Sequence, residues 1–281
     1  MEAEQSTSHE LAPIVTAFME RNLARKGVWV TEPDRRQLEW RYTTEDVVGS
    51  LTVEMSLGQL STFEMELVAW VLGRWQADRP ADGRVTFSLR ECAREFGTRW
   101  GGSRGEFLKE ALRRIDRTRF TGRVWNATSR KHVMRHFGIF DEVETVDYRD
   151  SFDGPSFEPG TVTVKLSGFL VDQLTANQLD KLNWAALRRG IKSPLGKRLY
   201  VFLRSQEGFP TADGLRFYEN GIDRELVTTL GVRDVQVRRV RSKLTRAGEE
   251  IVAADDRYRE VVVRKGKGQR TYVLRALWKA S

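Results

Sequence analysis

RDVQVRRVRSKLTRAG (233–248), then REVVVR (259–264), KGKGQ (265–269) and RTYVLRAL (270–277), is the stretch whose reading decides the fold. Val237, Val240 and Leu244 stand at i, i+3 and i+7, which makes one apolar stripe on a 3.6-residue period. The opposite arc holds Val235, Arg238, Ser242, Thr245 and Arg246, with Arg239 and Arg241 on its flanks and Arg233 just before it. Two alternating segments follow, joined by a glycine-rich turn, with Arg264, Lys265, Lys267 and Arg270 at or beside that turn. A helix beside a basic hairpin has the dimensions of a DNA major groove and its flanking phosphates.

The segments before this stretch supply the rest of a unit. Ser193 is placed to cap a helix, SPLGKRLYVFLRSQ, with Pro194 at its favoured first position. LRFY (215–218) reads as a strand, and IDRELVTTLG as a helix closed by Gly231. The first half repeats this order. LSTFEMELVAWVLGRW reads as a helix capped at Ser61 or Thr62, VTFSL (85–89) as a strand and RECAREFG as a helix stopped by Gly97. SRGEFLKEALRRIDRTRF reads as a longer helix with Phe107, Leu108, Ala111, Leu112 and Ile115 inward. RVWNA and HVMRHFGIFDEVETVDY then read as the strands of a hairpin, and 148–160 as the connector beyond them. Helix, strand, helix, turn, helix, hairpin is a winged-helix order, so the expected fold is α+β with two tandem winged-helix domains. The expected division is a partly disordered N-terminal extension at 1–50, a first domain at 51–190 and a second at 191–281. Residues 11–26 read as a short helix within that extension, and LDKLNWAALRRG (179–190) as helical.

Charge separates the halves. Residues 161–281 hold 24 Lys and Arg against 13 Asp and Glu, a net +11, while residues 1–160 are net −3. One part of the molecule is drawn to a polyanion and the other is not. The third helix of the first unit carries Arg104, Lys109 and Arg113, diluted by Glu106, Glu110 and Asp116, so weaker phosphate-directed contact is expected there.

Signals for catalysis are sparse. His132 and His136 share one face but have no acidic or thiol partner nearby, and Cys92 is the single cysteine, so no metal and no disulfide is expected. GIKSPLGKR differs from a phosphate-binding loop in spacing and lacks its Ser/Thr, which argues against nucleotide binding. Tyr200 lies in an apolar run and reads as core. A relaxase or recombinase would need a clustered tyrosine, histidine or acidic set. No enzymatic activity and no cofactor is expected. No apolar run of membrane-spanning length is present, and the acidic start MEAEQSTSHE is unlike a secretory signal.

VTFSLRECAREFGTRWGGSRGEFLKEALRRIDRTRFTG (85–122) and KSPLGKRLYVFLRSQEG (192–208) resemble the first helix-turn-helix and the helix opening the second domain of plasmid replication initiators of the RepA/TrfA type. The resemblance covers roughly 50–281. It implies a bacterial, cytoplasmic, plasmid-associated protein that binds direct repeats (iterons) at an origin chiefly through its second domain. It also implies opening of an A+T-rich segment, recruitment of a host initiator and replicative helicase, and a monomer–dimer equilibrium linked to copy control through the first domain. Carried over, base reading falls on the helix at 234–247 and phosphate contact on its wing. A transcriptional regulator with the same fold is the alternative.

Overall fold

The computed structural model describes residues 15–46, 49–97, 102–126, 128–146, 160–233, 237–266 and 272–280, with the backbone alone described at 44–46, 49, 102, 237 and 238. The chain opens with β1 (Thr16–Glu20) and α1 (Arg21–Arg25), then β2 (Trp40–Asp46) and β3 (Gly49–Met55). The first helical unit follows: α2 (Thr62–Asp78), β4 (Arg84–Ser88), α3 (Leu89–Glu95) and α4 (Gly102–Asp116). Next come β5 (Thr118–Asn126), β6 (Lys131–Gly138), β7 (Phe140–Thr145) and β8 (Thr161–Leu166). A joint of α5 (Gly168–Thr175), β9 (Leu179–Asn183) and a π-helix (Ala186–Gly190) leads to α6 (Pro194–Arg204). The second unit closes with β10 (Phe209–Pro210), β11 (Leu215–Gly221), α7 (Arg224–Thr229), α8 (Val237–Ala254), β12 (Tyr258–Lys265) and β13 (Tyr272–Lys279).

Two sheets with the same connectivity carry the repeat. In the first the strand order is β4-β8-β7, and in the second β11-β13-β12, with β10 added at the edge. In each, the strand before the helix-turn-helix pairs with the last strand of the unit, and the strand between them in sequence lies at the edge. Both units therefore have the winged-helix arrangement.

The wing of the first unit is not the hairpin that the sequence pattern suggests. β5 and β6 do form a hairpin, from Arg119 opposite Gly138 to Asn126 opposite Lys131. They belong, however, to a separate antiparallel sheet of order β2-β3-β5-β6. The chain crosses to the other sheet through the single buried residue Ile139. β7 then pairs with β8 from Phe140 opposite Leu166 to Thr145 opposite Val162. The wing is therefore β7–β8, and the polar stretch read as a connector lies between its strands. Alternation reveals a strand, but not which distant strand it pairs with.

The N-terminal segment is corrected as well. The helix expected at 11–26 is instead β1 and α1 from Thr16, and the LDKLN segment expected as helix is β9. The two pair antiparallel, Thr16 opposite Asn183 through Glu20 opposite Leu179, so each supplies the long-range partner that overrides helical spacing. The expected extension at 1–50 thus contributes β1, α1 and β2 to the fold.

α2 and α6 are buried on most sides, and their polar groups must find partners inside. The capping box at Ser61 forms as expected, with the Glu64 carboxylate accepting from Ser61 N at 2.8 Å. Burial works against the Glu64 charge, but Arg35 and Arg114 outweigh it and hold the carboxyl below its ordinary value. Ser193 caps α6 through Gly196 N at 3.0 Å, with Pro194 at the start. Tyr200 is core, as its neighbours suggest, and its hydroxyl donates to Asp255 at 2.7 Å while accepting from Asn183 N at 3.0 Å.

The densest junction surrounds Arg198 of α6, which is fully buried. Its guanidinium donates to the carbonyls of Ala24 (2.7 Å), Lys26 (3.0 Å) and Thr229 (2.8 Å). Those of Ala24 and Thr229 are terminal carbonyls of α1 and α7, which have no intrahelical donor, and Lys26 lies just past α1, its carbonyl also accepting from Val28 N at 2.8 Å. Burial lowers the Arg198 pKa to about 9, so the group remains a cation at neutral pH. Arg198→Leu leaves the Ala24 and Thr229 carbonyls unsatisfied, each at about 1–3 kcal/mol, while the Lys26 carbonyl keeps Val28 N. Urea denaturation is expected to show a loss of at least about 2 kcal/mol; an unchanged midpoint would exclude this role.

Glu20 is the buried carboxyl that caps α1, accepting from Leu23 N at 2.9 Å and from the Asn22 side chain at 2.7 Å. Burial pushes its pKa up from 4.5 to about 7. The folded chain therefore holds a proton that the unfolded chain has released. Its contribution to stability is complete below about pH 4.5 and falls as pH rises through 7, by about 3 kcal/mol. Glu20→Gln is expected to gain stability relative to wild type between pH 5 and pH 8. Parallel pH–stability curves for the two proteins would refute this.

Candidate nucleic-acid interface

The second helix-turn-helix is fixed from both ends of α7. Asp223 caps α7 by accepting from Leu226 N at 2.8 Å, and Gly231 makes the turn toward α8 with φ +67°. A Cβ at Gly231 would lie 2.0 Å from the Trp29 carbonyl oxygen, so only glycine lets the N-terminal segment approach so closely. Thr31 then bonds the Gly231 carbonyl through both N (3.0 Å) and Oγ1 (3.1 Å). Arg233, expected as a DNA contact, is engaged at this seam. Its guanidinium lies 5.0 Å above the Trp40 ring and donates to the Gln59 side chain.

α8 buries Val240, Leu244, Ala247 and Ile251 against the core. Of the expected stripe, Val240 and Leu244 are thus placed inward. The opposite side exposes Arg239, Ser242, Lys243, Thr245 and Arg246. The Thr245 hydroxyl donates back to the Arg241 carbonyl at 3.0 Å and keeps acceptor capacity outward. Arg241 is half-buried, with its guanidinium 4.6 Å from the centre of the Tyr272 ring on β13. Helix and wing are thereby joined by a cation–π contact. Arg238 lies on α8 by its backbone, whereas Val235, Lys267 and Arg270 lie outside the described residues.

Several cations on this face already have partners. Lys243 meets Glu32 at 3.1 Å, and Arg246 meets Glu250 at 3.7 Å. Glu250 also accepts from Lys192 N (3.1 Å), Ser193 N (2.8 Å) and Ser193 Oγ (2.8 Å) at the start of α6. Partial burial opposes its charge, yet these bonds and Arg246 hold the carboxyl below its ordinary value. A protein carboxylate thus occupies the site where GIKSPLGKR could have offered a phosphate cradle. On the wing, Arg264 pairs with Glu260 at 2.7 Å, and Lys265 is exposed.

In the first unit, α4 exposes Arg104 and Arg113, but Arg113 lies 3.9 Å from Glu110 and Lys109 lies 3.4 Å from Glu106. Phe107, expected inward, stands at the rim with 39% exposure, its ring 4.7 Å from that of Phe63. α4 therefore carries much of its own counter-charge.

No cluster of potential metal ligands occurs among the described residues. His136 bonds Thr121 through Nδ1 at 2.7 Å, and Cys92 is buried with its thiol pKa pushed up by desolvation. No helix among the described residues is long and apolar enough to cross a membrane. The sequence reading passed over Tyr272, Trp40, Glu32 and Glu250, which hold the cations of this face in place. Only Glu250 carried a local signal, at i+4 from Arg246.

A helix-turn-helix with its third helix half-exposed beside a hairpin, built twice on the same strand order, defines a tandem winged-helix protein of the DNA-binding class. The sequence profile described as replication initiator protein A matches residues 20–212, and the chain belongs to that family. The match ends before α8. Two crystal structures of domains 2 and 3 of RctB share the fold. The first has a TM-score of 0.61 at 16% identity, covering 93% of this chain and 99% of that one. The second has a TM-score of 0.56 at 14% identity, covering 92% and 97%. A comparison with curated proteins finds no sequence match. The chain is a replication initiator.

Tyr272→Leu removes the ring beneath Arg241 and keeps an apolar side chain. Duplex affinity measured by fluorescence anisotropy is expected to fall about two- to fivefold, the worth of an exposed cation–π contact. Unchanged affinity would show that the position of Arg241 is irrelevant to binding.

Proposed function

We propose that this chain initiates plasmid replication by binding repeated origin DNA with α8 in the major groove. The observation that carries the reading is α8 itself: an apolar stripe buried in the core, and an outer face of Arg239, Ser242, Thr245 and Arg246 beside a basic wing. Arg238, Arg241 and Arg239 supply donors for guanine O6 and N7, and Val235 an apolar contact for a thymine methyl. Arg264, Lys265, Lys267 and Arg270 hold phosphates, and Arg233 braces the start of α8. In this division of labour residues 191–281 read sequence. Residues 51–190 serve self-association and touch the DNA backbone through Arg104, Lys109 and Arg113. Binding at adjacent repeats opens an A+T-rich segment and brings in the host initiator and helicase; dimers limit initiation and so set copy number.

Electrophoretic shift with the DNA flanking the gene tests the assignment. Arg238→Ala and Arg241→Ala are each expected to weaken repeat binding at least tenfold, within the 1–3 kcal/mol span of about 5- to 150-fold for one bidentate base contact. The logarithm of the wild-type affinity is expected to fall linearly with that of salt, by about 0.9 per phosphate neutralised. Full affinity in both variants would remove α8 as the reading helix.

A further inference from the structure

The β5–β6 hairpin stands outside the repeated winged-helix order, inserted between α4 and β7. Its sequence, TGRVWNATSRKHVMRHFG (121–138), holds four Lys and Arg and two His with no Asp or Glu. It lies within a half of the chain that is net −3. Its inner residues Val124 and Phe137 enter the core. The outer face of its sheet runs in rows across the strands. One row is Thr43, Thr52, Thr121 and His136; further along Glu45 stands opposite Ser50, Arg123 opposite Met134 and Trp125 opposite His132.

That face is open. Arg123, His132 and His136 are exposed, and Met134 is 72% exposed, unusual for a side chain so apolar. Trp125 is half-buried, its ring edge-on to His132 at 5.1 Å. Arg130, Lys131 and Arg135 line the outer edge, exposed, with Lys131 and Arg135 (opposite Asn126 and Gly122) on the side of β6 turned away from His132, Met134 and His136, and the three make no ion pair among the described residues. They differ in this from the paired cations of α4. Acidic residues on the same sheet are Glu45 and Asp46 of β2 and Glu54 of β3, and Glu54 is taken by Arg41 at 3.2 Å.

We infer that this hairpin is a second nucleic-acid surface, and that it holds single-stranded DNA. Strands of eight and nine residues, at about 3.4 Å each, give a platform about 30 Å long. Unpaired cations along one edge follow a phosphate backbone. An indole, an imidazole and a thioether beside them offer surfaces for unstacked bases, which a duplex keeps hidden. A second copy of the chain is the poorer occupant, because two such faces brought together would oppose like charges. The inference goes beyond duplex binding by α8 and stands or falls separately from it.

Fluorescence anisotropy of the full chain with a labelled 30-nucleotide oligo(dT), and in parallel with an origin duplex, tests it. Arg123→Ala/Lys131→Ala/Arg135→Ala is expected to lose at least tenfold in oligo(dT) affinity and to flatten the salt dependence by about 2 log units per log unit of salt, at about 0.7 per lost phosphate contact. Duplex affinity should stay within twofold. His132→Ala/Met134→Ala changes only exposed side chains and is expected to weaken oligo(dT) several-fold without altering the salt slope. Absence of oligo(dT) binding by wild type overturns the inference, as does equal loss on both DNAs. So does a change in sedimentation with oligo(dT) affinity intact, which would make the face a contact between copies.

Discussion

The fold turns on one cation buried without a carboxylate. Arg198 points from α6 into the space where α1 ends and α7 ends, and the carbonyls of Ala24 and Thr229 at those ends, with that of Lys26 just past α1, converge on it. An isolated charge in that position is costly, and a set of orphan carbonyls is costly too; together each relieves the other. A planar guanidinium can reach acceptors from separate segments at once, which a lysine ammonium on a single stem does less well. The consequence is positional. α7 precedes α8, so the same bonds that seat the N-terminal segment also fix the helix-turn-helix against α6. Arg25 adds a reciprocal bond, donating through Nε at 3.0 Å to the Ser205 carbonyl at the far end of α6.

A second set of buried charges ties the two units into one body. Glu66 of α2 meets Lys197 of α6 at 2.6 Å and Arg188 of the π-helix at 3.0 Å. Burial outweighs both cations and leaves the Glu66 pKa above its ordinary value. Arg188 also donates to the Phe96 carbonyl behind α3 and lies 5.0 Å from the Phe96 ring. On its other side the π-helix packs so closely on α8 that a Cβ at Gly190 would sit 2.5 Å from the Ala254 Cβ. Such buried pairs add little net stability over apolar packing, but losing one partner is expensive. Their effect here is on geometry: α3 and the end of α8 are both referred to the same five-residue turn.

How much of this was legible in the sequence depends on whether the partner was local. The cap at Ser61, the Pro194 helix start, the inward Val240 and Leu244 and the glycine turn at Gly231 were all readable, because periodicity and capping act within a few residues. The winged-helix order followed from them. Pairing across long separations was not readable. β1 finds β9 some 160 residues away, and β7 leaves the β5–β6 hairpin for β8 after one residue, Ile139. The candidate site divides in the same way. The exposed arc of α8 came from spacing, while the restraint of Arg241 by Tyr272 and of Arg233 by Trp40 and Gln59 came only from tertiary packing.

The joint bears on how the protein meets DNA. Two winged-helix units on a flexible linker would bind as tethered modules, the second gaining an effective concentration set by linker length. Here the connection is β9, which pairs with β1, and a π-helix and α6, which are bonded to α2 through Arg188 and Lys197 and packed on α8, so the separation of the units is a property of the fold. The entropic cost of orienting one unit relative to the other is met during folding and is not charged again on binding. A charge asymmetry of −3 in residues 1–160 against +11 in residues 161–281 then acts on a body with a fixed orientation. The +11 of residues 161–281 attracts a polyanion more strongly than residues 1–160, where the α4 cations Lys109 and Arg113 carry their own counter-charges. The orientation of such a body in the field of a polyanion is set by its internal packing as well as by its surface charges.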